Sequence, residues 1–276
     1  MDFTKKVERS IIKTYRKEIW TRFIKGINDY QMVEDGDKIA LAISGGKDSL
    51  LLAKLFQELL RHGKKNFSLE FICMNPGYRP DIYETILENA KLLNIPMKVY
   101  DSPVFEVAGD LGGDKPCYLC ARMRRGSLYA KAQELGCNKL ALGHHHDDVI
   151  ETVLMNVLFS GNYKTMMPKL HSTNFENMEL IRPMIFIREE DIKRWVIANG
   201  LNPIDCACTV TEKTNFGARI YTKNLIQEIK KDFPNVEMSI YRSAENVELG
   251  AILGIKDKEG VNHSFLENYG KDKEFF

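Results

Sequence analysis

The chain has 276 residues, a formal net charge of +1 and 44% hydrophobic residues. That suffices for one large α/β domain with appendages or two modest ones, and it excludes a global basic field for nucleic acid while leaving room for a local patch. No apolar run reaches membrane-spanning length and Met1–Tyr30 is too charged for a secretory leader, so a cytoplasmic protein with no membrane partner is expected.

In chain order, the apolar positions Phe3, Val7, Ile11, Ile12, Tyr15, Ile19, Trp20, Phe23 and Ile24 mix spacings of three and four. They predict an amphipathic helix over residues 3–30 whose other face carries Lys and Arg. Glu8, Glu18 and Asp29 interrupt those basic residues, so a solvated face is the default there, with RNA contact the alternative. Ile39–Ile43 reads as a buried strand, Ser44-Gly45-Gly46-Lys47-Asp48-Ser49 as a tight turn, and Leu50–Phe56 as a helix. Two glycines let the turn bring its N–H groups close to an anion, the helix adds the positive end of its dipole, and Lys47 adds a mobile cation. A polyphosphate pocket follows. The spacing is not that of a Walker A loop.

Further along, strands are expected at Phe67–Met74, Met97–Tyr100, Lys139–Leu142 and Leu180–Pro183. Helices are expected at Asp81–Leu93, Ser127–Leu135, Asp147–Phe159 and Glu189–Asn199, the last ending at Gly200. This alternation predicts an α/β fold, a mostly parallel sheet with helices on both faces. Ligands then bind beyond the carboxyl ends of the strands, where Ser44, Asn75 and Gly143 converge on one crevice. The expected division is an N-terminal helical segment (1–34), a nucleotide-binding domain (35–232) and a C-terminal helical extension and tail (233–276).

Two cysteine groups stand apart from Cys73 and Cys137, which read as small buried hydrophobes. Cys117 and Cys120 form a C-x-x-C pair placed in a loop after Gly112-Gly113, and Cys206 and Cys208 form a C-x-C pair. In a reducing compartment such thiols point to a zinc site, a sulfur-relaying or redox pair, or an iron–sulfur cluster. The segment Gly143-His144-His145-His146-Asp147-Asp148 joins a strand end to a helix start. Asp147 and Asp148 suit the helix dipole and offer hard oxygens for magnesium, and a mononuclear site on His144, His146 and an Asp is a weaker alternative.

The Ser44–Ser49 loop resembles the phosphate loop of the PP-loop ATP pyrophosphatases. Taken with residues 28–37, Cys117–Gly126, Gly143–Thr152 and the late cysteines, it resembles the tRNA 2-thiocytidine synthetase family of those enzymes over roughly residues 28–230. The resemblance implies an adenine nucleotide alpha-hydrolase-like, Rossmann-like sandwich. It implies an ATP- and [4Fe-4S]-dependent tRNA sulfurtransferase that adenylates the C2 carbonyl of an anticodon-loop cytidine and replaces oxygen with sulfur. Ser44, Gly45, Gly46, Lys47, Asp48, Ser49, Asn75, Gly143 and His144 would then hold ATP, and Asp148, with Asp147 as understudy, Mg2+. Cys117, Cys120 and Cys206 would ligate the cluster, and Arg122, Arg124 and Arg125 would contact RNA. The late motif departs from the family's usual C-x-x-C, which leaves Cys208 as an alternative to Cys206. A sulfur donor (cysteine desulfurase or sulfide) and a homodimer are implied likewise. The rival readings are thiolation of a uridine, adenylation of a small molecule with a zinc or persulfide cysteine site, and a zinc-stabilised nucleotide-binding regulator.

Overall fold

In a computed structural model, the protein is described for residues 2–105, 107, 116–204, 217–267 and 269–270. The N-terminal segment is helical from α1 (Phe3–Arg9) to α2 (Thr21–Asp29), as expected, but two π-helical turns, Ser10–Thr14 and Arg16–Trp20, lie between them. The sequence gives the reason. Val7, Ile11, Ile19, Phe23 and Ile27 are all buried and, with half-buried Tyr15, recur every fourth residue. At 3.6 residues per turn such a row drifts by roughly 40° per step, and the wider π turns absorb the drift. Lys54, fully buried, fastens this segment to the domain: its ammonium donates to Glu8 (2.8 Å), Gln57 (2.6 Å) and the Leu93 carbonyl (3.0 Å).

The central sheet contains β1 (Lys38–Ala42), β2 (Ser68–Asn75), β3 (Met97–Asp101), β4 (Lys139–Ala141), β5 (Lys169–His171) and β6 (Glu179–Ile181), in the order β3-β2-β1-β4-β6-β5. All neighbours pair parallel except β5, which runs antiparallel to β6 at the edge. Alternation along β1 sorts its side chains. Ile39 and Leu41 join the core that holds α3 (Lys47–His62), α4 (Pro80–Leu92) and α7 (Glu189–Ala198), and Ala40 faces the opposite core under α5 (Pro116–Glu134). Trp195 on α7 is fully buried and donates to Ser10 Oγ (3.0 Å).

A third core packs α6 (His146–Ser160) against α8 (Ala218–Asp232) and α9 (Val236–Ser243) through Val149, Val153, Ile226 and Ile240. Beyond α9 the chain forms a short hairpin, β7 (Gly254–Lys256) and β8 (Asn262–Ser264). One sequence expectation needs a larger correction. Helix α5 starts at Pro116, so the C-x-x-C lies in its first turn and not in a loop. Proline at the first helical position, where its missing N–H is no loss, explains the early start.

Candidate active site

The turn after β1 is built as its composition demands. Gly45 sits at φ +81°, and a Cβ there would meet Ile86 Cγ1 at 2.6 Å. The Ser44 N–H donates to Ser49 Oγ (3.1 Å), and that hydroxyl donates to the Gly46 carbonyl (2.9 Å), closing the loop on itself. Gly46 caps α3 in extended conformation with no side-chain acceptor, so the first-turn N–H groups point at the crevice. Gly143, at the end of β4, lets that strand approach α3: a Cβ would lie 3.2 Å from the Asp48 carbonyl. The Ile204 N–H donates to the Gly45 carbonyl (3.1 Å), which pins the chain two positions before Cys206 to the phosphate loop.

Charges converge on this loop. The Lys47 ammonium lies 3.0 Å from Asp48 Oδ2 and 3.2 Å from Glu189 Oε1. Burial works against its charge, but these two carboxylates hold its pKa above the ordinary lysine value. Glu189, at the start of α7, also takes Lys223 (2.5 Å) and Lys193 (3.1 Å). Burial opposes its ionisation, yet the three lysines bring its pKa down to about 2. Among the described residues the other oxygen of Asp48, Oδ1, is buried without a hydrogen-bond partner, and His145 Nε2 lies 3.9 Å from it.

Asp148 stands opposite. Its Oδ2 accepts the His145 N–H (3.0 Å), and its Oδ1 accepts from Arg219 (2.8 Å) on α8. Burial alone would raise its pKa, whereas His145, His144 and Arg219 hold it below the usual carboxylate range. Asp147 turns away and accepts the Glu189 N–H (2.8 Å), so it joins α6 to α7. His146 is buried, its Nδ1 donates to the Ile185 carbonyl (3.2 Å), and burial pushes its pKa down to about 4. It is a neutral structural residue and does not form a metal site with His144. His144 accepts at Nδ1 from Arg182 Nε (3.3 Å), and burial pushes its pKa down to about 4 as well. Asn75 donates to Asp101 (2.8 Å), accepts from the Gly77 and Tyr78 N–H groups, and lines a cavity of about 500 Å³ at the ends of β2 and β3.

The structure therefore gathers Ser44–Ser49, Gly143, His144 and Asp148, with Asn75 on the β2 side. The predicted arginines divide: Arg122 and Arg125 line a cavity beside Arg182, whereas the charge of Arg124 reaches Cys73 and Tyr100. Cys120 is half-buried on α5. The Cys117 side chain, and Cys206 and Cys208 entirely, lie outside the described residues. Cys73 and Cys137 are buried thiols whose pKa values burial pushes up to about 11, as inert core residues require. Sequence reasoning missed Arg182, Glu189, Arg219 and Lys223. Glu189 had one signal, its place at a predicted helix start, and the others are ordinary cations until the fold brings them in.

The donor set suits a magnesium–nucleotide complex, because Asp48 Oδ1 is a buried anionic oxygen without a hydrogen-bond partner among the described residues. Among the described residues no group of three or more His, Cys, Asp or Glu is arranged to hold a metal unaided. Magnesium needs no such group when phosphates supply further oxygens. For an iron–sulfur cluster, Cys120 near the start of α5 offers a thiol of the right chemistry.

A family model described as a PP-loop domain matches residues 16–228. The chain is 38% identical over 227 residues to the tRNA-cytidine(32) 2-sulfurtransferase of Syntrophotalea carbinolica, covering 81% of this chain and 86% of that one. It is 33% identical over 245 residues to the Geobacter sulfurreducens protein of the same name, covering 87% and 93%. Among solved structures it resembles the U34-tRNA thiolase NcsA from Methanococcus maripaludis with its [4Fe-4S] cluster. The TM-score is 0.66 at 23% identity, over 88% of this chain and 78% of that one, a likeness of fold. The chain is a PP-loop protein, and within that class it belongs to the tRNA-cytidine(32) 2-sulfurtransferase family.

Proposed function

We propose that this protein is an ATP-dependent tRNA sulfurtransferase that replaces the C2 oxygen of cytidine 32 with sulfur, in the cytoplasm, releasing AMP and pyrophosphate. The observation that carries the reading is the phosphate loop after β1, with Lys47 held in place and Asp48 Oδ1 left unpaired in a buried setting. The family membership supplies the substrate.

The chemistry of the chain's own residues follows from their positions. The first-turn N–H groups of α3 and the Lys47 ammonium bind the pyrophosphate end of ATP and stabilise the charge that builds there as it leaves. Lys47 exchanges its carboxylate partners for phosphate oxygens, and Glu189 stays neutralised by Lys193 and Lys223. The cavity at Asn75 takes the adenosine. The C2 oxygen of the cytidine attacks the α-phosphorus, pyrophosphate departs, and the oxygen becomes part of an AMP leaving group that sulfide then displaces. His144, neutral above about pH 4, offers its ring beside this centre without competing as a cation.

Asp48 and Asp148 would hold Mg2+, which neutralises phosphate charge. Cys117, Cys120 and Cys206, or Cys208 in its place, would hold a [4Fe-4S] cluster, which would supply Lewis-acid chemistry for sulfide. Arg122 and Arg125 are the RNA-facing cations in this reading. The sulfur comes as sulfide directly, or from a cysteine desulfurase as a persulfide that a two-electron thiol reductant releases as sulfide, and a homodimer carries over from the family resemblance.

The test is incubation of anaerobically purified, iron-reconstituted protein with ATP, Mg2+, sulfide and a tRNA transcript carrying cytidine 32. Nuclease digests are then analysed for 2-thiocytidine. ATP-dependent 2-thiocytidine, lost when cytidine 32 is replaced by uridine, is the expected result. AMP release without thiolated nucleoside would overturn the reading.

A further inference from the structure

A second cavity, of about 550 Å³, opens between α5 and the loop joining β5 to β6. Arg122, Arg125 and Tyr129 come from one face of α5, at spacings of three and four. Across from them stands Phe175, which stacks on Tyr129 with ring centroids 5.1 Å apart and planes 13° from parallel. At its floor lies Arg182, the residue after β6, only 5% exposed.

Arg182 is the telling residue. Its Nε donates to His144 Nδ1 (3.3 Å) and one terminal nitrogen donates to the Met167 carbonyl. Among the described residues neither Arg182 nor Arg122 nor Arg125 has a carboxylate in an ion pair. Burial and the neighbouring Arg125 charge both depress the Arg182 pKa, to about 10; Tyr129 and then Asp148 offset this only in part, and Asp148 is already engaged by Arg219. A buried guanidinium flanked by a like charge, with no acid partner, lacks its counter-ion. An anion with a planar pair of oxygens completes it.

The place of the cavity selects the anion. Across the carboxyl edge of the sheet the order is Asn75 at β2, the phosphate loop at β1, His144 at β4 and Arg182 at β6. Strands lie about 4.8 Å apart, so Arg182 sits two strands beyond the phosphate loop, on the side away from the Asn75 cavity. Room for a nucleotide, apolar walls at Leu170 and Phe175 and three guanidinium groups with no carboxylate partner among the described residues match RNA, which proteins hold by phosphate contacts and by stacking.

We propose that this cavity binds a nucleotide of the substrate RNA adjacent to the reacting cytidine. Arg122 and Arg125 meet its phosphodiester at the mouth, and Arg182 closes on it from below. Through the Arg182–His144 hydrogen bond, occupancy of the cavity fixes the His144 ring at the reaction centre. The inference rests on the sulfurtransferase reading and adds residues and a position to it.

The test uses the full chain and measures affinity for an unmodified tRNA transcript carrying cytidine 32 across a salt series, together with affinity for a non-hydrolysable ATP analogue. Arg125→Ala is expected to weaken tRNA binding about tenfold and to lower the slope of log affinity against log salt by about 1. Affinity for the analogue stays within about twofold. Lys231→Ala, which removes an exposed cation paired with Glu228, is the charge-matched control and leaves the slope unchanged. Arg182→Gln probes the floor, and because it is buried its folding is checked by near-ultraviolet circular dichroism; Arg122→Ala carries the test if it unfolds. An unchanged slope in both Arg122→Ala and Arg125→Ala overturns the proposal. So does loss of analogue affinity with RNA binding intact, which assigns the anion to the nucleotide's phosphates. If the unsubstituted protein shows no salt-dependent tRNA binding, the sulfurtransferase reading itself fails, an outcome distinct from both.

Discussion

Replacing Gly45 with alanine tests whether the phosphate loop is as tightly specified as its geometry says. Gly45 has φ +81°, beyond the left-handed basin that an L-residue tolerates, at a cost of about 1–2 kcal/mol. The new Cβ would meet Ile86 Cγ1 at 2.6 Å and Ile204 Cγ1 at 3.2 Å, and Ile86 is 1% exposed with no free space to retreat into. Overpacking of this kind costs about 1–3 kcal/mol. The sum, about 2–5 kcal/mol, is a large share of the 5–15 kcal/mol roughly expected for a natural domain. Urea unfolding of Gly45→Ala, Ile86→Ala and the double variant measures it. Ile86→Ala alone opens a cavity and costs about 2–5 kcal/mol. In the double variant the conflict with Ile86 disappears, so its loss is smaller than the sum of the singles by about 1–3 kcal/mol, while the contact with Ile204 and the backbone penalty persist. Strict additivity, or a Gly45→Ala protein within about 0.5 kcal/mol of the unsubstituted one, would refute the packing argument.

Three further outcomes follow from the site. Asp48→Asn removes the charge of a carboxylate with one unpartnered oxygen and one half-exposed partner, Lys47, so the nucleotide-free protein loses less than about 1 kcal/mol while affinity for the ATP analogue in Mg2+ falls at least about tenfold, as isothermal titration will report. Lys47→Met is expected to lower the thiolation rate by about 100- to 1000-fold with the tRNA dissociation constant unchanged, separable by single-turnover kinetics. His144 and His146 both have folded pKa values near 4, below the ordinary 6.5, so unfolding takes up protons between those values. Stability is therefore intact above about pH 6.5 and declines as the pH falls toward 4, by at most about 1.4 kcal/mol per pH unit for each histidine. The carboxylates with lowered pKa, Glu189 among them, add their loss only lower still. His146→Phe should make the decline shallower in urea midpoints measured from pH 7 to 4.5.

The parts of the fold that local pattern determines were visible in the sequence. β1, the glycine turn and α3 were legible because an apolar run, two glycines and a second apolar run admit few other readings. β5 escaped because Lys-Leu-His is three residues long, lies at the edge and has no buried face to impose alternation. The first turns of α5 escaped because Cys-Tyr-Leu-Cys carries no helical stripe, and the motif drew attention to its chemistry over its backbone. At the site, the phosphate loop and Asp148 announced themselves by type and spacing. Arg182, Arg219 and Lys223 did not, since each is a lone cation in its own segment and acquires meaning only from carboxylates or arginines that are distant in the chain, such as Asp148 at 71 positions from Arg219.

The wide turns in the N-terminal segment give that segment slack. Ile11 and Ile19 are eight residues apart, and the π turns between them use the whole count. Deleting one residue at Tyr15 leaves seven, about two ordinary α-helical turns, so Val7 and Ile11 could stay seated against the core while Ile19, Phe23 and Ile27 keep their places. An insertion or deletion here changes the pitch of the helix and spares its register, where the same change in α3 would turn every later core residue toward water. The segment that clamps Lys54 from outside can thus gain or lose length without loosening its grip, a freedom that the phosphate loop, closed on itself by Ser44 and Ser49, does not have.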